Sequence, residues 1–196
     1  MTRRRLSGAE RRGQLLDVAR DIVAADGYAA LTIDRVARST GITRAVVYQQ
    51  FTDLNGLTTA LLDRESAIAF AGMGSVEGAR EVDEMGRGIL AYLHAAPTSW
   101  RTILRPPDGA PPEARVRIEL GRAYARAVAA RALGLDPDGA AVRVLLASIE
   151  ELARLHLEDP EAYPEELVLD YLASLVDWAT RRPLPAPSKN RRIRAD

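Results

Sequence analysis

Residues 32–51 read TIDRVARSTGITRAVVYQQF, and the order of caps, apolar positions and one glycine in this stretch decides the fold. Thr32 stands where a helix N-cap belongs, and Ile33, Val36 and Ala37 follow at a spacing that puts all three on one helical face. Ser39-Thr40-Gly41 then brings polar residues and a glycine that accepts positive φ, so the helix stops and the chain turns at once. A second helix is predicted from Thr43, with the threonine hydroxyl as its N-cap and Ile42 stapled onto Val47. On that reading Thr43→Ala costs about 1 kcal/mol of helix stability. Val47 and Phe51, four apart, turn inward, which leaves Arg44, Ala45, Tyr48 and Gln49 outside.

That outward set differs from an ordinary solvated face, which pairs Glu with Lys. No acid occurs between Arg44 and Phe51, and the side chains present are donors suited to phosphates and base edges. The stretch therefore reads as a DNA-binding helix-turn-helix. Thr43, Tyr48 and Gln49 are expected to fix position on the DNA backbone, and Arg44, Ala45 and Val46 to face bases, with Thr32 at the edge of the contact.

Around this core the chain resembles the amino-terminal signature of the TetR family of transcriptional repressors. The resemblance rests on Gly27-Tyr28, Leu31-Thr32-Ile33, Val36-Ala37, Gly41-Ile42-Thr43, Tyr48, Phe51 and Leu57, and covers roughly the first sixty residues. The family usually has alanine where this chain has Thr40, and often lysine where it has Leu54. The resemblance implies a dimeric repressor of double-stranded operator DNA, released by a small-molecule effector bound in the body.

Composition fits that frame. The chain has 196 residues, 47% hydrophobic and 28% charged, with net charge zero. Attraction to phosphate is therefore local: Arg3, Arg4, Arg5, Arg11 and Arg12 face the single acid Glu10 near the start, and Arg3 to Arg5 read as a phosphate or minor-groove arm. Cysteine is absent, which excludes disulfides and thiolate sites and fits a reducing cytoplasm. No apolar run approaches the ~20 residues that span a bilayer, so no membrane partner is expected and the protein is placed in the cytoplasm.

The expected fold is all-α, about nine helices: a three-helix head with the helix-turn-helix (1–54), a helical effector-binding and dimerisation body (55–182), and a basic disordered tail (183–196). Ser7 and Glu10 form a capping box for a first helix with Leu15, Leu16, Ala19, Ile22 and Val23 on one stripe, ending at Gly27. A connecting helix carries Leu57, Leu61, Leu62 and Ile68 inward, and the glycine run 72–78 ends it as a loop. Five more helices follow. The first places Val82, Met85, Ile89 and Tyr92 on one face, a short one centres on Trp100, Ile103 and Leu104, and a third has Val116, Leu120, Ala123, Tyr124, Ala127 and Val128 as its core stripe. Arg115, Glu119, Arg122 and Arg126 form its solvated side. The last two helices are apolar on more than one side, which predicts a four-helix interface with a second copy through Leu145, Ile149, Leu152, Leu172, Leu175 and Trp178.

Enzyme chemistry has no support. His94 and His156 lack metal-ligand or triad spacing, and the paired acids Glu150-Glu151 and Glu165-Glu166 diverge around their helices, so no catalytic residue, metal or cofactor is expected. For the effector pocket that the family resemblance implies, the candidates are Met85, Tyr92, Trp100 and Tyr124, with His156 as a polar handle. The rival reading is a small-molecule-binding helical protein whose head no longer reads specific DNA.

Overall fold

The computed structural model describes residues 6–69, 71 and 81–181. Arg3, Arg4 and Arg5, the glycine run 72–78 and the tail 183–196 lie outside the described residues. Among those described there are nine α-helices and no strand. They are α1 (Gly8–Asp26), α2 (Ile33–Thr40), α3 (Arg44–Gln50), α4 (Leu54–Ala69), α5 (Val82–Ala95), α6 (Pro97–Ile103), α7 (Pro112–Leu133), α8 (Ala140–Glu158) and α9 (Glu165–Arg181), with a 3-10 turn at Tyr28–Ala30.

The head follows its sequence closely. Ser7 Oγ accepts from Glu10 N–H at 3.2 Å while Glu10 Oε2 accepts from Ser7 N–H at 2.8 Å, a complete capping box. The buried residues of α1 are Leu15, Leu16, Ala19, Ile22 and Val23, and Gly27 ends the helix at φ 80°. They share one apolar cluster with Val36, Val47 and Phe51, and with Leu57, Leu61 and Leu62 of α4. That cluster also takes in Ala110, Ala114 and Ile118, so the loop before α7 and the start of α7 close the back of the head.

The body departs from the expected faces in four places. In α4 the buried row is Leu57, Thr58, Leu61, Leu62, Glu65 and Ala69, while Ile68 points outward. In α5 the inward side is Gly86, Leu90 and Leu93, with Val82, Met85, Ile89 and Tyr92 only half-buried beside it. A Cβ on Gly86 would meet the terminal methyls of Leu169 and Leu172 at 2.7 and 2.9 Å, so this side packs closely on α9 and a larger residue would make those leucines shift. In α6 the buried residues are Ser99 and Thr102, not Trp100, Ile103 and Leu104.

The largest correction concerns α7. Val116, Leu120 and Tyr124, expected in the core, are 60%, 59% and 58% exposed, and Ala123 and Ala127 are exposed with them. The helix instead turns Ala114, Ile118 and Ala130 inward, and small side chains let it lie close against α4 and α8. Its charged side is correspondingly not free: half-buried Arg122 donates to Glu119 at 2.9 Å and to Glu150 of α8 at 3.1 Å.

Head and body are stitched by polar bonds as well as by packing. The buried phenol of Tyr28 donates to the Thr102 carbonyl at 3.0 Å, and burial raises its pKa far above the usual tyrosine range. Arg105 donates to the carbonyls of Ala24 and Ala25 at 2.6 and 3.1 Å, satisfying the end of α1. Glu65, with no exposed surface, takes Ser99 Oγ–H at 2.6 Å and two N–H groups of Arg64 at 2.9 and 2.7 Å. Arg64 in turn reaches Asp17 at 2.9 Å and the Gly13 carbonyl at 3.3 Å on α1.

Candidate nucleic-acid interface

The turn between α2 and α3 is built as its residues dictate. Thr32 Oγ1 accepts from Arg35 N–H at 3.1 Å, capping α2. At the other end Gly41 sits at φ 65°, with Ile42 N–H donating to Ala37 O at 3.0 Å and Gly41 N–H to Arg38 O at 3.2 Å. This is the Schellman pattern, which satisfies the last carbonyls of α2. Thr40 fits where the family has alanine because its buried hydroxyl donates to Val36 O at 2.8 Å and leaves no orphaned group. Leu54, half-buried, packs on the head core.

The N-cap expected at Thr43 is not formed: its backbone is extended, but its side chain makes no capping bond. The first turn of α3 tightens instead through Val46 N–H to Thr43 O at 3.1 Å, and the threonine hydroxyl is left exposed. Thr32→Ala is therefore expected to cost about 1 kcal/mol, and Thr43→Ala less than about 0.5 kcal/mol, in urea denaturation. A larger loss at Thr43 than at Thr32 would reverse this assignment.

The face of α3 is as the period requires. Val47 and Phe51 are buried, Val46 is half-buried, and Thr43, Arg44, Ala45, Tyr48 and Gln49 are exposed. Thr32 is exposed too, its hydroxyl held by the cap. Two residues of this site were missed from sequence. Arg12, counted only as part of the basic start, donates to the Gln50 carbonyl at 2.5 Å and lies 4.2 Å over the Phe51 ring, clamping the end of α3 to α1. Asp34, in the first turn of α2, pairs with Arg44: Nη2 donates to Oδ2 at 2.7 Å, and Nε faces Oδ1. The outward face is free of acids within α3, but not within the motif.

The effector candidates are brought together only in part. Met85, Tyr92 and Trp100 are half-buried, and Trp100 Nε1–H donates to the Tyr92 carbonyl at 3.1 Å. Tyr124 is exposed on α7. His156 is buried with both ring nitrogens engaged: Nδ1–H donates to the Tyr163 carbonyl at 2.7 Å, so Nε2 accepts from His94 Nε2–H at 2.8 Å. A separate apolar crevice between α5, α8 and α9, bordered by Ile89, Leu90, Leu93, Ile149, Leu152 and Leu172, holds a void of about 10 Å³, room for no more than about one water.

The residues expected at a subunit interface divide in the same way. Leu145 and Leu172 are buried in their own subunit's core, with Ile149, Leu152 and Leu175 partly buried around it. Only Trp178 of that set is exposed, alongside Val144 and Tyr171. The broad apolar girth of α8 and α9 is used first to pack against each other and against α5 and α7.

Residues 15–61 match the family model described as bacterial regulatory proteins, tetR family. An uncharacterised HTH-type transcriptional regulator of Mycobacterium tuberculosis is 23% identical over 184 residues, covering 87% of this chain and 76% of that relative. Among solved structures, a TetR-like transcriptional regulator from Rhodococcus sp. RHA1 superposes with a TM-score of 0.62 at 17% identity, covering 88% of this chain and 96% of the other. The fatty acid degradation regulator FadR from Bacillus halodurans gives 0.63 at 14% identity, with 88% and 97% covered. The ketosteroid transcriptional regulator KstR2 of Mycobacterium tuberculosis gives 0.59 at 20%, with 91% and 100% covered. With its capped α2, left-handed Gly41 and outward-facing α3 set on an all-helical body, this chain carries over residues 15–61 the head described by the tetR family of bacterial regulatory proteins, and its fold as a whole is that of solved TetR-like regulators.

Proposed function

We propose that this protein is a cytoplasmic repressor that binds a near-palindromic double-stranded operator as a homodimer and is released by a small apolar effector. The observation that carries the reading is the division of α3: Val47 and Phe51 are sealed in the head core, while Thr43, Arg44, Ala45, Tyr48 and Gln49 stand in solvent with Val46 between. Thr43, Tyr48 and Gln49 serve the phosphate backbone, Arg44, Ala45 and Val46 the base edges, and Arg3, Arg4 and Arg5 add local positive charge. The second copy pairs through the outer sides of α8 and α9, where Val144, Tyr171 and Trp178 remain exposed.

Support for an apolar effector comes from the apolar lining of the crevice between α5, α8 and α9. It also comes from two structural relatives, one a fatty acid degradation regulator and the other a ketosteroid transcriptional regulator. With so small a void, entry requires α5 to draw away from α9.

Selection from a random double-stranded library followed by sequencing tests the reading. Two half-sites related by a two-fold axis are expected, at least one helical turn apart, roughly 34–36 Å or somewhat more. Arg44→Ala is expected to relax preference at one position in each half-site by about 1–3 kcal/mol. Equal loss on all sequences would make Arg44 a phosphate contact, and recovery of no motif by the native chain would favour a head that no longer reads DNA.

A further inference from the structure

We propose that Asp34 is the specificity-positioning residue of this head: it holds Arg44 side-on so that the remaining guanidinium fork is presented to a guanine in each half-site. The inference rests on Arg44 being a base reader, and adds what aims it and at which base.

The geometry is that of a preset donor. Asp34 lies in the first turn of α2, where the helix dipole favours an acid, and its backbone is fixed by buried Ile33, Val36 and Ala37 on either side. Arg44 opens α3 ten residues later, its side chain 65% exposed and that of Asp34 44% exposed. The carboxylate takes the Nε and Nη2 edge of the guanidinium. A guanidinium has five N–H donors, and a side-on carboxylate uses two of them. Of the three that remain, one hydrogen of Nη2 and one of Nη1 form a parallel end-on fork. That fork matches the O6 and N7 acceptors of guanine in the major groove.

Two consequences separate this arrangement from a free arginine. A long side chain already held in one rotamer gives up little freedom on docking, so its discrimination between bases is sharper. The Asp34–Arg44 pair is also close to neutral, so Arg44 adds little to the non-specific attraction for phosphate and releases few counterions.

The test uses the full-length protein, its selected operator and operators carrying single base changes, with affinity measured across a salt series. Asp34→Asn is expected to lower discrimination at the guanine by about tenfold, while preference at other positions is retained. At the same time freed Arg44 should steepen the dependence of log K on log salt by about one per subunit. Arg44→Ala should lose preference at that same position without flattening the salt slope, and the double variant should discriminate no worse than Arg44→Ala alone. Asp34→Asn that tightens binding to every sequence equally, with the guanine preference intact, would show the carboxylate to be only a competitor for Arg44 and overturn the proposal. Equal weakening on every sequence would overturn it too, as the mark of a structural role. Arg44→Ala with an unchanged base preference would instead remove the underlying base-reader reading.

Discussion

Replacing Arg64 by alanine is expected to destabilise the fold by about 3–5 kcal/mol, measured by urea denaturation, because it strands a buried carboxylate. Glu65 has no exposed surface, and its charge is met by Arg64 alone among cations bonded to it, with Ser99 on its other oxygen. Removing Arg64 also releases Asp17 and the Gly13 carbonyl, so α4 loses its polar tie to α1 while its tie to α6 carries an uncompensated charge. The double variant Arg64→Ala/Glu65→Gln should recover at least half of the loss, since glutamine keeps an acceptor for Ser99 and carries no charge. A double variant as unstable as the single one would mean that the lost α1 contacts, not the stranded charge, cause the effect.

Gly109→Ala is expected to cost about 2–5 kcal/mol. The residue sits at φ 76° in the loop before α7, and a Cβ there would lie 2.6 and 2.7 Å from Cβ and Cα of Ala29 in the 3-10 turn of the head. Backbone strain of about 1–2 kcal/mol adds to an overpacking cost of about 1–3 kcal/mol. Gly134 provides the control: it ends α7 at φ 66° with nothing within 4 Å of its would-be Cβ, so Gly134→Ala should show only the conformational part, about 1 kcal/mol. Thermal denaturation of the pair isolates the clash. Equal losses at the two positions would mean that the loop yields and that Gly109 does not hold head to body.

What was legible in the sequence is what depends on near neighbours along the chain. The capping box at Ser7, the stripe of α1, the cap at Thr32 and the left-handed Gly41 are each set within a few residues, and each occurs as read. Where two faces of one helix compete, period alone fails. Helix α7 offers large apolar residues at Val116, Leu120 and Tyr124 and small ones at Ala114 and Ala130, and close approach to α4 and α8 selects the small face. Leu145 and Leu172 were assigned to a partner for the same reason: how many sides a helix buries is readable, but not whose side chains do the burying.

The site shows the same boundary. Spacing placed Arg44 outside and Val47 inside, but the pairing of Asp34 with Arg44 depends on how the turn folds two helices across each other, ten residues apart. Arg12 and the Gln50 carbonyl are 38 residues apart, and His94 and His156 are 62 apart. No local pattern announces such contacts. The polar core of α6, Ser99 and Thr102, was hidden because neither residue is apolar, though each finds its partner inside.

Helix α3 is only seven residues long, and a helix of that length does not persist by itself in water. Its shape is inherited: Arg12 ties down its last carbonyl, Phe51 anchors behind it, and Asp34 grips the side chain at its beginning. The surface offered to a groove is thus already folded before any DNA arrives, and no ordering cost is subtracted from its grip. A substitution at Arg12 is therefore expected to loosen the mount of the whole exposed face of α3 without altering a residue on that face.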